Sequence, residues 1–143
     1  MFLKRAVILA GLIAAAPAVG EESKTYQNLL TPLLSSGETV IGQQIAYPAG
    51  TAKVTAAIVT IPPGGETGWH THAVPLLATI LEGELSIDYG SKGIKMVKAG
   101  DAMLEAENWP HNATNHGTVP VKILAVYMGV DGVLNAEVAA GPK

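Results

Sequence analysis

The segment from Gly64 to His72 reads GGETGWHTH, and it places two histidines where a glycine-rich loop enters a β-rich run. Side chains two residues apart in a strand point to the same face of a sheet. His70 and His72 can therefore bind one metal ion together. A His-x-His pair is a weak signal by itself, because many such pairs are ordinary strand residues.

A third histidine, His111, strengthens this interpretation. It follows Gly100-Asp101, a short β-rich run and the turn Asn108-Trp109-Pro110. In an antiparallel barrel, a strand this far along the chain can return to face the first pair. The chain has no cysteine, so only nitrogen and oxygen ligands are available. Three imidazoles suit a divalent transition metal such as Fe, Mn, Zn, Ni or Cu.

The first histidine pair resembles the first sequence motif of the cupin family. That motif consists of a glycine, five residues, His-x-His, a glutamate and a closing glycine. Gly64, His70, His72 and Gly83 fall at four of these positions. Leu76 stands where the motif has its glutamate, with Leu77 beside it, so the carboxylate ligand that the family uses is absent.

The second cupin motif is matched further along the chain. Gly100 opens it, His111 falls at its histidine and Asn115 at its asparagine. The Pro-x-Gly turn of the motif is altered to Ala106-Glu107-Asn108. The resemblance implies a metal held by His70, His72 and His111. Some cupin dioxygenases that cleave thiols or diketones use iron on three histidines.

The rest of the chain has the pattern of an all-β domain. Short runs rich in Val, Ile, Thr and Leu alternate with Gly, Pro and Asn at intervals typical of a sandwich or barrel. The resemblance implies a single-domain cupin jelly-roll β-barrel over residues 39–135. The predicted strands are Thr39 to Tyr47, Lys53 to Ile61, Leu76 to Leu81, Glu84 to Tyr89, Ile94 to Val97, Ala102 to Glu105 and Lys122 to Met128.

The two ends of the chain differ from this domain. Lys4 and Arg5 precede a short apolar run that Pro17 interrupts, which predicts a signal peptide over residues 1–20 and export to the periplasm or medium. The apolar run is too short to span a bilayer. Residues 21–38 are expected to form a lead segment with a helical turn or two, and residues 136–143 a flexible tail.

Several further residues are candidates for the site. Glu105 precedes the His111 turn on a strand and could replace the lost carboxylate or act as a base, but it could equally be a surface residue. Trp109 and Trp69 flank the histidines, and with Leu76 they are candidates for binding a substrate. Other polar and aromatic residues near the motifs have ordinary structural interpretations: His116 as a turn residue, Asn115 as a turn stabiliser, and Tyr47 and Tyr127 as core or interface residues.

These observations leave two function hypotheses and a third possibility. The first is a metal-dependent, oxygenase-type enzyme acting on a small organic substrate, with Glu105 as a possible base. The second is a non-catalytic protein that binds a small molecule or a metal in the periplasm. The third is a cupin that has lost its metal. The formal charge of −3 disfavours nucleic acid as a partner, and the resemblance implies a homodimer.

Overall fold

The computed structural model describes residues 25–141. The predicted signal peptide at residues 1–20 lies outside this range. The chain divides into a short unit that ends at Thr31 and a compact unit that begins at Pro32. The described part of the first unit holds a single 3₁₀ turn, Tyr26–Leu29, in place of the one or two helical turns predicted for this region.

The compact unit consists of short strands with a second 3₁₀ turn, Gly90–Lys92. The strands are β1 (Ala52–Ile61), β2 (His70–Thr71), β3 (Leu76–Glu82), β4 (Glu84–Asp88), β5 (Ile94–Lys98), β6 (Ala102–Leu104), β7 (Asn112–Thr114), β8 (Val121–Val130) and β9 (Glu137–Val138). Within the described residues they form a four-stranded sheet, β1-β8-β3-β6, a three-stranded sheet, β5-β4-β7, and the pair β2-β9. All of these pairings are antiparallel.

The two larger sheets bury their facing side chains in one core. Alternate residues of β3 and β8, such as Ile80 and Ile123, pack with Leu85 and Ile87 of β4. Apolar residues at every second position are what a sheet with one buried face requires. The compact unit is therefore an all-β jelly roll, as predicted, with its two larger sheets packed face to face.

One predicted strand is wrong. Residues from Thr39 to Tyr47 form a tight turn with an isolated bridge between Glu38 and Gln44, and no strand. Gly42 has a φ of +82°, and the amide of Gly42 donates to the carbonyl of Thr39 at 2.9 Å. The chain reverses at this glycine, which interrupts the extended conformation that the apolar alternation suggested.

The C-terminal segment continues the domain past residue 135, where the sequence places its end. Glu137 and Val138 form β9 and pair with Thr71 and His70. The amide of Ala139 also donates to the carbonyl of Trp69 at 3.0 Å. Backbone pairing of this kind leaves little trace in side-chain pattern, so a short polar segment could not be assigned as a strand from sequence.

Asn115 and Gly83 stabilise turns at the end of the sandwich where β3 leads into β4. The buried amide of Asn115 donates to the carbonyls of Ile61 and Val119 at 3.0 and 2.8 Å, which confirms its predicted role. Gly83 joins β3 to β4 with a φ of +78°. A Cβ atom there would lie 2.9 Å from Val121 Cγ2, so this turn requires glycine for two separate reasons.

Gly83→Ala should destabilise the fold more than Gly132→Ala. The two glycines have similar positive φ values of +78° and +81°, and alanine at such a φ costs about 1–2 kcal/mol in backbone strain. Only Gly83 also has a close neighbour, and overpacking adds roughly 1–3 kcal/mol. Urea unfolding of the two variants would measure the difference. Equal losses of unfolding free energy would contradict the packing argument.

Candidate metal centre

Backbone pairing brings two of the three predicted ligands together. His70 and His111 form an isolated antiparallel bridge in which each amide donates to the other's carbonyl at 3.0 Å. Directly opposite residues of an antiparallel pair project their side chains to the same face. The imidazole rings consequently lie with centroids 4.4 Å apart.

His72 reaches the same place through a second contact. It forms a parallel bridge with Glu107, and the amide of Asn108 donates to the His72 carbonyl at 2.7 Å. Asn108 has a φ of +51°, a left-handed conformation that asparagine tolerates better than most residues. This explains how the chain accepts asparagine where the cupin motif has glycine.

Each of the three imidazoles is oriented by a backbone carbonyl. The Nδ1 atoms of His70, His72 and His111 lie 2.8 Å from the carbonyl oxygens of Gly68, Asn135 and Trp109 respectively. A carbonyl can only accept, so each Nδ1 carries the hydrogen and each neutral ring keeps a free lone pair on Nε2. Metal-binding histidines are commonly fixed in this way.

The histidines converge as a ligand set would. Their possible ligand atoms all lie within 4.8 Å of one another. His72 and His111 are almost fully buried, and the Nε2 atom of His111 is buried without a hydrogen-bond partner among the described residues. A buried polar atom with no partner is costly. A divalent metal would satisfy it, so the residues present fit the ion that the sequence predicts.

The electrostatics of the site favour uncharged imidazoles. Burial lowers the pKa of His72 to about 4, a shift that its bond to the Asn135 carbonyl only partly opposes. Burial also lowers the pKa of His70, against opposing effects from the Gly68 carbonyl and Glu105. Metal binding needs the deprotonated ring. Both side chains are therefore ready to bind a cation at neutral pH without first losing a proton.

The three histidines open onto a small cavity of about 70 Å³ inside the sandwich. Leu76 is buried in its wall, where the family motif has a carboxylate. The remaining walls are mostly apolar and come from both sheets: Val59, Ala78, Leu85, Ile87, Met103, Ala113, Ile123 and Ala125. The cavity is large enough for a few atoms beside an ion, since one water occupies about 30 Å³ in the liquid.

Among the described residues, Glu105 is the one whose carboxylate lines this cavity. Its Oε1 atom accepts hydrogen bonds from the Tyr89 hydroxyl at 2.5 Å and from the Ala106 amide at 2.8 Å. Burial, together with the neighbouring Glu105, raises the pKa of Tyr89 far above its ordinary value, so the phenol stays protonated and donates. Glu105 lies outside the cluster of ligand atoms, which comprises the three histidines.

The two tryptophans lie elsewhere. Neither Trp69 nor Trp109 lines the cavity of the histidines. The Trp109 indole donates to the carbonyl of Tyr89 at 2.8 Å and lies under the ammonium of Lys92. The Trp69 ring packs against Gly141. In the described structure, both rings therefore support the segments that carry the site.

Three residues at the site were not assigned to it from sequence. Tyr89 holds Glu105, Tyr127 lines the cavity with its ring 5.6 Å from His72, and Asn135 supplies the carbonyl for that histidine. Tyr89 could have been found, because Leu85, Ile87 and Tyr89 alternate on one strand face. A backbone carbonyl such as that of Asn135 carries no sequence signal.

The metal-free protein should lose stability as the pH falls below 6.5. The unfolded chain takes up a proton on His72 near pH 6.5, whereas the folded chain does so only near pH 4. Between pH 7.5 and pH 5 this difference removes about 2 kcal/mol of unfolding free energy. The loss is complete below the folded pKa.

Urea unfolding of chelator-treated protein at both pH values would measure this effect, with His72→Gln as the control that lacks the titrating ring. The control should lose less stability over the same interval. An identical pH dependence in the two proteins would contradict the assignment to His72.

Comparisons with known proteins agree with this architecture. A family model described as "Cupin domain" matches residues 57–127. A solved protein with a double-stranded β-helix domain from Klebsiella pneumoniae is 21% identical, with a TM-score of 0.52, over 91% of this chain and 100% of that chain. No curated protein sequence matches the chain.

Two solved enzymes share part of the fold. An oxalate decarboxylase from Lactobacillus farciminis is 24% identical over 63% of this chain and 27% of its own, with a TM-score of 0.52. A DMSP lyase from Ruegeria pomeroyi is 21% identical over 60% of this chain and 43% of its own, with a TM-score of 0.53. The match thus spans less than half the length of either enzyme, and at these identities the likeness concerns the fold alone.

The family match covers all three histidines, and the Klebsiella pneumoniae structure is similar to this fold over most of the chain. The chain therefore contains a domain of the cupin superfamily, and its three-histidine cluster is suited to a divalent metal.

Proposed function

We propose that the protein is a metal-dependent enzyme of oxygenase type that acts on a small organic substrate. The observation that carries the proposal is the convergence of three Nε2 lone pairs on an apolar cavity that Glu105 also lines. One of these atoms is buried and has no hydrogen-bond partner among the described residues. Pockets with few convergent polar groups in apolar surroundings are typical of sites for small molecules.

His70, His72 and His111 would hold the ion, which could be Fe, Mn, Zn, Ni or Cu. When bound, it would supply Lewis acidity and binding positions for substrate and dioxygen. Because Leu76 replaces the carboxylate of the family motif, these three neutral ligands would not offset the ion's positive charge. Substrates that bind as anions, such as enolates or thiolates, would therefore be favoured.

Glu105 is the residue suited to receive the proton that such a substrate loses. The Tyr89 hydroxyl and the Ala106 amide both donate to Oε1, and Oε2 accepts no hydrogen bond from the described residues. These two bonds fix the carboxylate in the cavity wall without making it part of the histidine cluster. The free oxygen is then available to a bound substrate.

The size of the cavity limits the substrate. A space of about 70 Å³ admits a small group, whereas sites for drug-sized ligands occupy roughly 300–1,000 Å³. A short diketone or thiol fits these dimensions better than a polycyclic molecule. Leu76, Met103 and Ile123 would contact the apolar part of that substrate.

The same small volume also supports the alternative, a non-catalytic protein that binds a small molecule or a metal. In that case Glu105 and its partner Tyr89 would only fill space in the cavity wall and hold the neighbouring side chains in position. Binding would then be unaccompanied by turnover. Export and pairing of two copies, which the N-terminal sequence and the family resemblance imply, are compatible with either function and belong to this proposal.

The purified protein should contain close to one divalent metal per chain, and His111→Ala should lower metal affinity by more than about 100-fold, since loss of a supporting residue alone costs 10–100-fold. His116→Ala is the matched control, because His116 is exposed and contacts Ser86 outside the cluster. Elemental analysis and titration with Zn²⁺ or Fe²⁺ would measure both variants. Failure of the wild type to bind any of the five metals would contradict the proposal and indicate a metal-free cupin.

Glu105→Gln should lower kcat by about 10²–10⁴-fold while leaving metal content unchanged, because Glu105 acts on the substrate and is not a ligand. Oxygen uptake by the iron-loaded protein with pentane-2,4-dione and with cysteamine is the measurement, and Glu84→Gln, an exposed change on β4, is the control. Oxygen uptake that survives Glu105→Gln would remove its role as base. Metal binding without oxygen uptake on either substrate would favour the binding protein.

A further inference from the structure

The last described residues of the chain, 135–141, lie across the segment that carries two of the candidate metal ligands. Within them, β9 (Glu137–Val138) pairs with β2 (His70–Thr71). We call residues 135–141 the C-terminal strap. None of them lines the metal cavity, so the strap can affect the site only through the residues that it contacts.

One contact of the C-terminal strap is made with the ring of His72. The Nδ1 atom of this ring donates to the carbonyl oxygen of Asn135 at 2.8 Å, and the two residues are 63 positions apart in the chain. The rings of His70 and His111 are held differently, by the carbonyls of residues only two positions earlier. The orientation of His72 therefore depends on the strap, whereas the other two ligands are oriented within their own segments.

The C-terminal strap is anchored at its far end on one tryptophan. The amide of Ala139 donates to the carbonyl of Trp69 at 3.0 Å. Gly141 packs so closely on the Trp69 indole that a Cβ atom at this glycine would lie 2.9 Å from Nε1. Trp69 thus holds the strap through both its main chain and its side chain.

The docked strap has little to stabilise it beyond these contacts. None of the side chains in residues 135–141 is buried, and Val138 is 95% exposed. The β2-β9 pair is two residues long and is separate from both larger sheets. Segments with few buried apolar contacts open locally at a small cost in free energy. The docked position of the strap is therefore sensitive to any change in its contact with His72.

We propose that the C-terminal strap positions His72 for the metal, and that metal binding in turn holds the strap in its docked position. The docked Asn135 carbonyl fixes the hydrogen on Nδ1, which leaves the Nε2 lone pair to converge with those of the other two rings. Without the strap, His72 would have to adopt this tautomer and orientation as the ion binds. The inference rests on the metal site of the proposed function.

Metal binding and strap docking must affect each other equally. If release of the strap lowers metal affinity by some factor, metal binding favours the docked strap by the same factor. Loss of a residue that supports a metal ligand typically costs about 10–100-fold in affinity. We therefore expect bound Zn²⁺ to slow hydrogen exchange at the Ala139 amide by a factor in this range.

A full-length double variant, Ala139→Pro with Gly141→Val, tests the positioning role in the metal-free protein. Proline removes the amide that donates to Trp69, and valine crowds the indole ring. NMR should detect the hydrogen-bonded Nδ1–H of His72 in the wild type, with His72→Gln to assign the signal. The double variant should lose that signal, because the released strap no longer holds the Asn135 carbonyl against the ring.

Titration with Zn²⁺ measures the consequence for the metal. The double variant should bind Zn²⁺ about 10-fold more weakly than the wild type, and a chain that ends at Leu134, which lacks the carbonyl altogether, about 100-fold more weakly. Asn135→Ala is the matched control, because it removes the side chain and keeps the carbonyl. It should leave both the Nδ1–H signal and the affinity unchanged.

The outcomes separate this proposal from the proposed function. A wild type that binds no metal would overturn both, whereas equal Zn²⁺ affinity in the wild type, the double variant and the shortened chain would overturn this proposal alone. Loss of the Nδ1–H signal in Asn135→Ala would contradict the role of the backbone carbonyl. Exchange at Ala139 that Zn²⁺ leaves unchanged would disprove the coupling. If the shortened chain fails to fold by circular dichroism, the full-length double variant gives the same test.

Discussion

The reciprocal pair of backbone hydrogen bonds between His70 and His111 is the contact on which the candidate site depends. It joins the end of the glycine-rich loop to the turn before β7, and it sets two imidazoles side by side regardless of what their side chains bind. The bridge from His72 to Glu107 adds the third ring. Because backbone pairing makes this arrangement, the ligand geometry is part of the fold and needs little reorganisation to accept an ion.

The carbonyl oxygens of Gly68, Trp109 and Asn135 complete this arrangement from three different segments. They set the tautomer of each ring, and burial keeps His70 and His72 uncharged. Hydrogen bonds from each Nδ1 to a carbonyl therefore offset the cost of burying these polar rings, and the Nε2 atoms remain available to a ligand. Asn135, which supplies one of these carbonyls, lies just before β9, the strand that pairs with β2.

Leu76 replaces the carboxylate of the motif, which removes a negatively charged metal ligand from the site and leaves an apolar side chain in the cavity wall. A carboxylate in the cavity comes instead from Glu105, whose amide donates to the Leu76 carbonyl at 2.8 Å on the neighbouring segment. Tyr89 and the Ala106 amide hold that carboxylate in place.

The alternation of β-branched and polar residues, the glycine punctuation and the two histidine motifs were sufficient to predict an all-β jelly roll and the three histidines that meet in it. These features are local in sequence, and their spacing has a direct geometric meaning. Leu76, which stands at the glutamate position of the first motif, lies in the cavity wall. The sequence pattern predicted a strand from Thr39 to Tyr47 that the structure does not have. The chain reverses there at Gly42, and a single residue with positive φ is not visible in the pattern of apolar residues.

The remainder depended on tertiary contacts. Whether Glu105 faced solvent or the cavity could not be decided from the three-residue strand that precedes it. Its orientation depends on the hydroxyl of Tyr89, which directly follows β4 of the other sheet. The positions of Trp69 and Trp109 outside the cavity depend on their contacts with Gly141 and the Tyr89 carbonyl. Sequence records which side chains are available at a given spacing, whereas the partners of backbone carbonyls and buried hydroxyls are set only when distant segments pack together.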